Sequence, residues 1–102
     1  MFPIASDHGV SRLSLGPVLG MREARPLRNA LEVARAQGLP LVLDAQPVER
    51  VSTASVQLLV AFAAAMEQAG LQLRLSRPSQ AFLTAFSDLG LDPIIKTWSV
   101  EE

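Results

Sequence analysis

The sequence predicts an α/β domain in which one mixed β-sheet carries helices packed mainly on one face. Three observations lead there. The run "LPLVLDA" is continuously apolar and ends in an acid, as a central strand with a parallel neighbour does. "LQLRLS" alternates Leu71, Leu73 and Leu75 with Gln72 and Arg74, which is the period of a strand. Between them lies a helix-length apolar segment that Gly70 closes. Strand, helix and strand in that succession make a crossover, which is almost always right-handed and joins parallel strands.

In chain order, "VSRLSLGPVLGM" places Val10, Leu13, Leu15 and Val18 among Ser, Arg and Gly, the pattern of an opening hairpin or a strand bent at Gly16-Pro17. "REARPLRNALEVARAQG" spaces Ala24, Leu27, Leu31 and Ala34 by threes and fours, tolerates Pro26 only in a first turn, and ends at Gly38. Its other face carries Arg22, Arg25, Arg28, Glu32 and Arg35, with Arg28 and Glu32 spaced as an i,i+4 pair. In the crossover helix Leu58, Leu59, Phe62, Ala65, Met66 and Ala69 share one arc. Ser79 then caps a helix that places Phe82, Leu83, Phe86 and Leu89 on one side and stops at Gly90. "LDPIIKTWSVEE" reads as a terminal strand or a loose tail, with Trp98 packed on the sheet edge. The expected core comprises Leu41, Val42, Leu43, Leu59, Phe62, Leu73, Phe82 and Phe86.

A length of 102 residues suits one core, with residues 1–9 as an N-terminal tail and 10–102 as the domain. Cysteine is absent, so disulfides and thiolate metal sites are excluded. The one histidine, His8, falls in the expected tail, where a solvated imidazole makes a poor general base. No metal or other cofactor is expected. Nine basic against ten acidic residues give a net charge of −1, which offers no electrostatic footprint for nucleic acid or an anionic membrane surface. The longest apolar run, Leu58–Met66, is far short of the ~20 residues that span a bilayer, and "MFPIASDHGV" lacks the basic start of an export signal. The expectation is a cytoplasmic protein that does not insert in membranes.

The stretch "VSTASVQLL" then gathers three hydroxyls, Ser52, Thr53 and Ser55, at the start of the crossover helix. Unsatisfied N–H groups and the helix dipole there favour a capping oxygen or a phosphate. A cap, a phosphorylation switch at Thr53, Ser52 or Ser55, and a nucleophile at Thr53 or Ser55 are all open on these residues. The nucleophile has no credible base, since His8 is remote and Asp44 would need a raised pKa. Asp44, with Glu49 as the one other carboxylate near it, is read as bonding backbone in the turn. No G-x-x-x-x-G-K loop is present to support nucleotide hydrolysis. Val56, Val60 and Ala64 add an uncharged shoulder to the helix, suited to a dry contact.

From about Val10 to Ile95 the chain resembles the STAS domain, named for sulfate transporters and anti-sigma factor antagonists. The family's "LVLDLS" strand, its "DSSG" or "DTAG" helix start, its alternating strand after a Gly and its helix ending before "GL" are matched by Leu41–Ala45, Ser52–Ser55, Leu71–Leu75 and Ser79–Leu91. The resemblance implies a non-enzymatic protein-interaction module that docks a partner, with Ser52, Thr53, Ser55, Val56, Gln57 and Val60 as the contact residues. Signalling members are phosphorylated on the second hydroxyl of "DSSG", a position that here is Ala54. "DTAG" members share that alanine and include the STAS subunit of a phospholipid-transport ABC complex; related small STAS proteins serve in chemotaxis. The implied partner is an anti-sigma or chemotaxis kinase, or alternatively an ABC ATPase.

Overall fold

In the computed structural model, which describes residues 2, 4–7 and 9–101, the elements follow as β1 (Ile4–Asp7), β2 (Val10–Ser14), β3 (Val18–Leu19), α1 (Ala24–Ala36), β4 (Leu41–Asp44), β5 (Arg50–Val51), α2 (Thr53–Gln68), β6 (Leu73–Ser76), α3 (Gln80–Ser87), α4 (Asp92–Thr97) and β7 (Ser99–Glu101). A 3-10 turn, Met21–Glu23, leads into α1. Five strands form one sheet in the order β1-β2-β4-β6-β7, antiparallel between β1 and β2 and parallel thereafter. β3 and β5 pair separately as a two-stranded parallel ribbon.

The alternation of side chains along the strands explains the layering. Leu13, Leu41, Leu43, Leu73 and Leu75 point to one face and join Leu27, Leu31, Leu59, Met66, Phe82 and Phe86 of the helices in a single cluster. Every expected core residue is buried. Val42 stands on the opposite face, outside that cluster, yet is 1% exposed. Its register neighbours are Arg12 and Arg74, whose long stems flank it there.

The helix boundaries follow local chemistry. Gly38, Gly70 and Gly90 adopt φ of 68°, 72° and 72° at the ends where helices stop, a conformation that costs glycine least. Ser79 caps α3 by accepting the Phe82 N–H at 3.1 Å, and its own hydroxyl donates to the Val48 carbonyl at 2.6 Å. Gln37, just past α1, accepts from the hydroxyls of both Ser6 and Ser11 and so ties that helix to β1 and β2.

Several expectations are corrected. Within the expected N-terminal tail, Ile4–Asp7 is an edge strand and the true hairpin partner of β2; the chain after Gly16-Pro17 leaves for the small ribbon instead. His8, expected to be a solvated tail residue, lies outside the described residues. "DPIIKT" is a helix, because Asp92 and Pro93 suit a first turn while Ile95 and then Trp98 reach the core. Glu32 pairs with Arg35 at 2.9 Å, three residues on, rather than with Arg28. Leu89 is 43% exposed, beyond the end of α3 where its arc no longer meets the sheet. Ala69 is likewise exposed past the last turn of α2.

Candidate functional site

The parallel strands β2, β4 and β6 end together, with Ser14, Asp44 and Ser76 in register. The three loops that leave them therefore meet at one edge of the sheet, the place where open α/β sheets present their sites. Backbone bonds lock the loops together. Pro17 O accepts from Glu49 N at 2.7 Å and from Arg50 N at 3.1 Å, and Leu19 O accepts from Ser52 N at 2.8 Å. The last of these presents Ser52 as the N-cap of α2.

Ser52 has the extended backbone of a cap, and its Oγ accepts the Ser55 N–H at 3.1 Å. Its hydroxyl donates to Ser55 Oγ at 3.2 Å, which in turn lies 3.5 Å from the Gly20 carbonyl. Ser55 is fully covered by this arrangement, and Val56 next to it is fully buried in the core. The sequence expectation for these two is thus corrected. The capping geometry turns positions 55 and 56 inward against the 3-10 turn and the sheet, so neither offers a surface to a partner, and the Ser55 hydroxyl is no accessible phosphate acceptor or nucleophile. Ser52 is half-buried and spends its hydroxyl on the cap.

Thr53, Ala54 and Gln57 are the members of the motif that remain exposed. They sit on one turn of α2, with Thr53 and Gln57 one above the other at i,i+4. Among the described residues the Thr53 side chain has no hydrogen-bond partner. Val60, one turn further, is half-buried and lines a separate cleft at the other end of α2, so it does not join this patch.

Two apolar residues unforeseen from the sequence complete the surface. Met21, 79% exposed, begins the 3-10 turn directly after Gly20, and Val18, 41% exposed, lies in the ribbon paired with Arg50. Glu23 fixes that turn by accepting the Gly20 N–H at 2.9 Å. One sequence signal pointed to Met21: it is apolar yet stands outside the Leu27–Leu31–Ala34 arc. Exposed Arg22 and Arg50 add positive charge beside the patch.

Chemistry on a bound molecule would require a base near Thr53. Asp44 instead closes its own turn: Oδ1 accepts from Gln46 N at 3.1 Å and Oδ2 from Arg77 at 2.9 Å. Arg77 holds φ of 47° to reach it. No group of three or more His, Cys, Asp or Glu that could hold a metal ion occurs among the described residues. Nor is any helix there long and apolar enough to cross a membrane. The site is a small, mainly apolar surface with an exposed hydroxyl.

Among curated proteins, no sequence matches the chain significantly. Solved structures do match. An anti-sigma factor antagonist from Mycobacterium paratuberculosis superposes with a TM-score of 0.81 at 22% identity, over 99% of this chain and 84% of that one. An anti-sigma-factor antagonist (STAS) domain protein from Planctomyces limnophilus gives 0.80 at 17% identity, over 99% and 88%. The phosphorylated form of the Bacillus cell fate determinant SpoIIAA gives 0.74 at 17% identity, over 100% and 91%. At such identities the likeness is one of fold. A family model described as "Mlab, STAS domain" matches residues 4–96, nearly the whole chain, and the protein therefore belongs to the STAS domain family.

Proposed function

We propose that the protein is a non-enzymatic docking module that binds a regulatory protein partner through Thr53, Ala54 and Gln57 at the start of α2 and through Val18 and Met21 beside them. The observation that carries this reading is the pairing of a side chain as apolar and as exposed as Met21 with an unbonded hydroxyl at Thr53. Exposed methionine is costly in water and adaptable in a contact, and a free hydroxyl beside it sets orientation. The partner acts in a bacterial signalling or transport assembly in the cytoplasm.

Two kinds of partner fit. One is an anti-sigma or chemotaxis kinase, as the family resemblance implies. The other is an ABC ATPase, with this chain as its accessory subunit, and Ala54 favours it: the alanine removes the hydroxyl on which kinase-regulated members depend, and the family description that matches is the Mlab type. Thr53 is the one exposed hydroxyl of the motif, and so its one accessible candidate for phosphorylation.

Affinity capture from the native cell with the wild-type chain, Thr53→Glu and the remote surface variant Val33→Glu tests the proposal. Recovery of a serine or chemotaxis kinase supports the first partner and of an ABC ATPase the second. In either case the partner should be lost with Thr53→Glu and kept with Val33→Glu. Turnover of phosphate or acyl esters that disappears in Thr53→Ala would replace the docking reading with an enzymatic one.

A further inference from the structure

Beyond the far end of the Thr53 surface, a cleft of about 610 Å³ opens between the second half of α2, the turn into β6 and α4. Val60, Ala63, Leu71 and Ile94 supply an apolar lining, and Glu67 is its one charged residue among the described residues. Trp98 forms part of the wall. It is 5% exposed and packs edge-on against Phe86, with ring centroids 5.6 Å apart. Its indole N–H nevertheless has no acceptor among the described residues. No fully buried side-chain polar atom there is left without a partner, so this N–H must reach solvent, and the cleft is the opening that Trp98 lines. A tryptophan so well covered ordinarily satisfies its N–H, which makes this one a donor waiting for an acceptor.

We propose that the cleft binds a short apolar segment of a partner protein that carries a lysine or arginine. A backbone carbonyl of the segment accepts from Trp98 Nε1, its apolar side chains cover Val60 and Ile94, and its cation meets Glu67. Charge selects this occupant, because a lining with a carboxylate and no cation repels phosphates and carboxylates. Shape does so too. The cleft is open on one side, whereas a detached small molecule needs most of its surface enclosed; a chain segment enters and leaves through the opening. Ala63, Ala64 and Gly70 at the rim let a backbone come close. This contact is separate from the Thr53 surface and would give the module a second grip on its assembly.

The test is to pan a random heptapeptide library against the full chain and to titrate the enriched peptides while following tryptophan emission. Trp98 is the one tryptophan and the chain has no tyrosine, so the signal reports the cleft directly. Enriched peptides should be apolar with a Lys or Arg and should shift the Trp98 emission. Their affinity should fall at least tenfold in Ala64→Arg, an exposed helical position where arginine keeps the fold, and severalfold in Glu67→Gln. Thr53→Glu should leave it unchanged, which keeps this test separate from that of the docking surface. Acidic peptides, an unmoved emission, binding that survives Ala64→Arg in a folded variant, or no enrichment at all would each overturn the proposal.

Discussion

Ser52 Oγ accepts the backbone N–H of Ser55 at 3.1 Å, and this one bond divides the motif between structure and surface. It caps α2, turns Ser55 beneath Gly20, and leaves Thr53 facing solvent with no structural duty.

The first prediction concerns that division. Thr53→Ala should change unfolding free energy by less than about 0.5 kcal/mol, as a surface substitution without partners does. It should weaken the captured partner by roughly 1–2 kcal/mol, the worth of an interfacial hydrogen bond and its methyl contact. Thr53→Glu should weaken it further by placing a charge in a dry contact. Denaturant titration and calorimetry with the partner check the two effects separately.

Ser52→Ala should cost the fold about 1 kcal/mol through loss of the cap. Ser55→Glu should cost roughly 3 kcal/mol or more, since the new carboxylate would be buried without a counter-charge. A phosphomimetic at position 55 would then read out as unfolding rather than as regulation. Equal melting midpoints for Ser55→Glu and wild type would contradict the buried placement.

Met21→Asp should leave stability unchanged within about 0.5 kcal/mol, because the side chain packs on little. Partner affinity should drop tenfold or more if Met21 is an anchor of the surface, since hot-spot truncations cost ~2 kcal/mol. A calorimetric isotherm indistinguishable from wild type would remove Met21 from the site.

Phe86 is fully buried, with its ring centroid 4.9 Å from that of Phe82 and 5.6 Å from that of Trp98. Phe86→Ala should destabilise by about 3–5 kcal/mol through lost burial and the cavity left behind. The emission of Trp98 should move to the red at the same time, as its covered ring face becomes accessible to water. An unshifted midpoint would show that the aromatic cluster does not hold α3 and the chain after α4 to the sheet.

The sequence by itself determined the parts whose residues each carry a local reason. Leu41–Asp44 and Leu73–Ser76 are strands by their pattern, Ser79 and Ser52 are caps by their hydroxyls, and Gly38, Gly70 and Gly90 end helices because φ near +70° suits only glycine well. The right-handed crossover then follows from the handedness of the polypeptide. The ordered motifs from Leu41 to Leu91 were likewise enough to identify the family.

Tertiary structure decided the rest. Ile4–Asp7 shows little alternation and becomes a strand because the free edge of β2 offers it backbone partners. Helix α2 is apolar around much of its circumference, so its sequence cannot say which face is buried. That choice falls to the cap at Ser52 and to the Gly20 carbonyl over Ser55, contributed from 35 residues earlier in the chain. The same fold brings Met21 and Val18 to Thr53 and sends Val60 to a different cleft, because loops distant in sequence leave neighbouring parallel strands at one edge of the sheet. Local chemistry fixes an element's type and ends, whereas its facing is set by non-local partners that only the assembled sheet supplies.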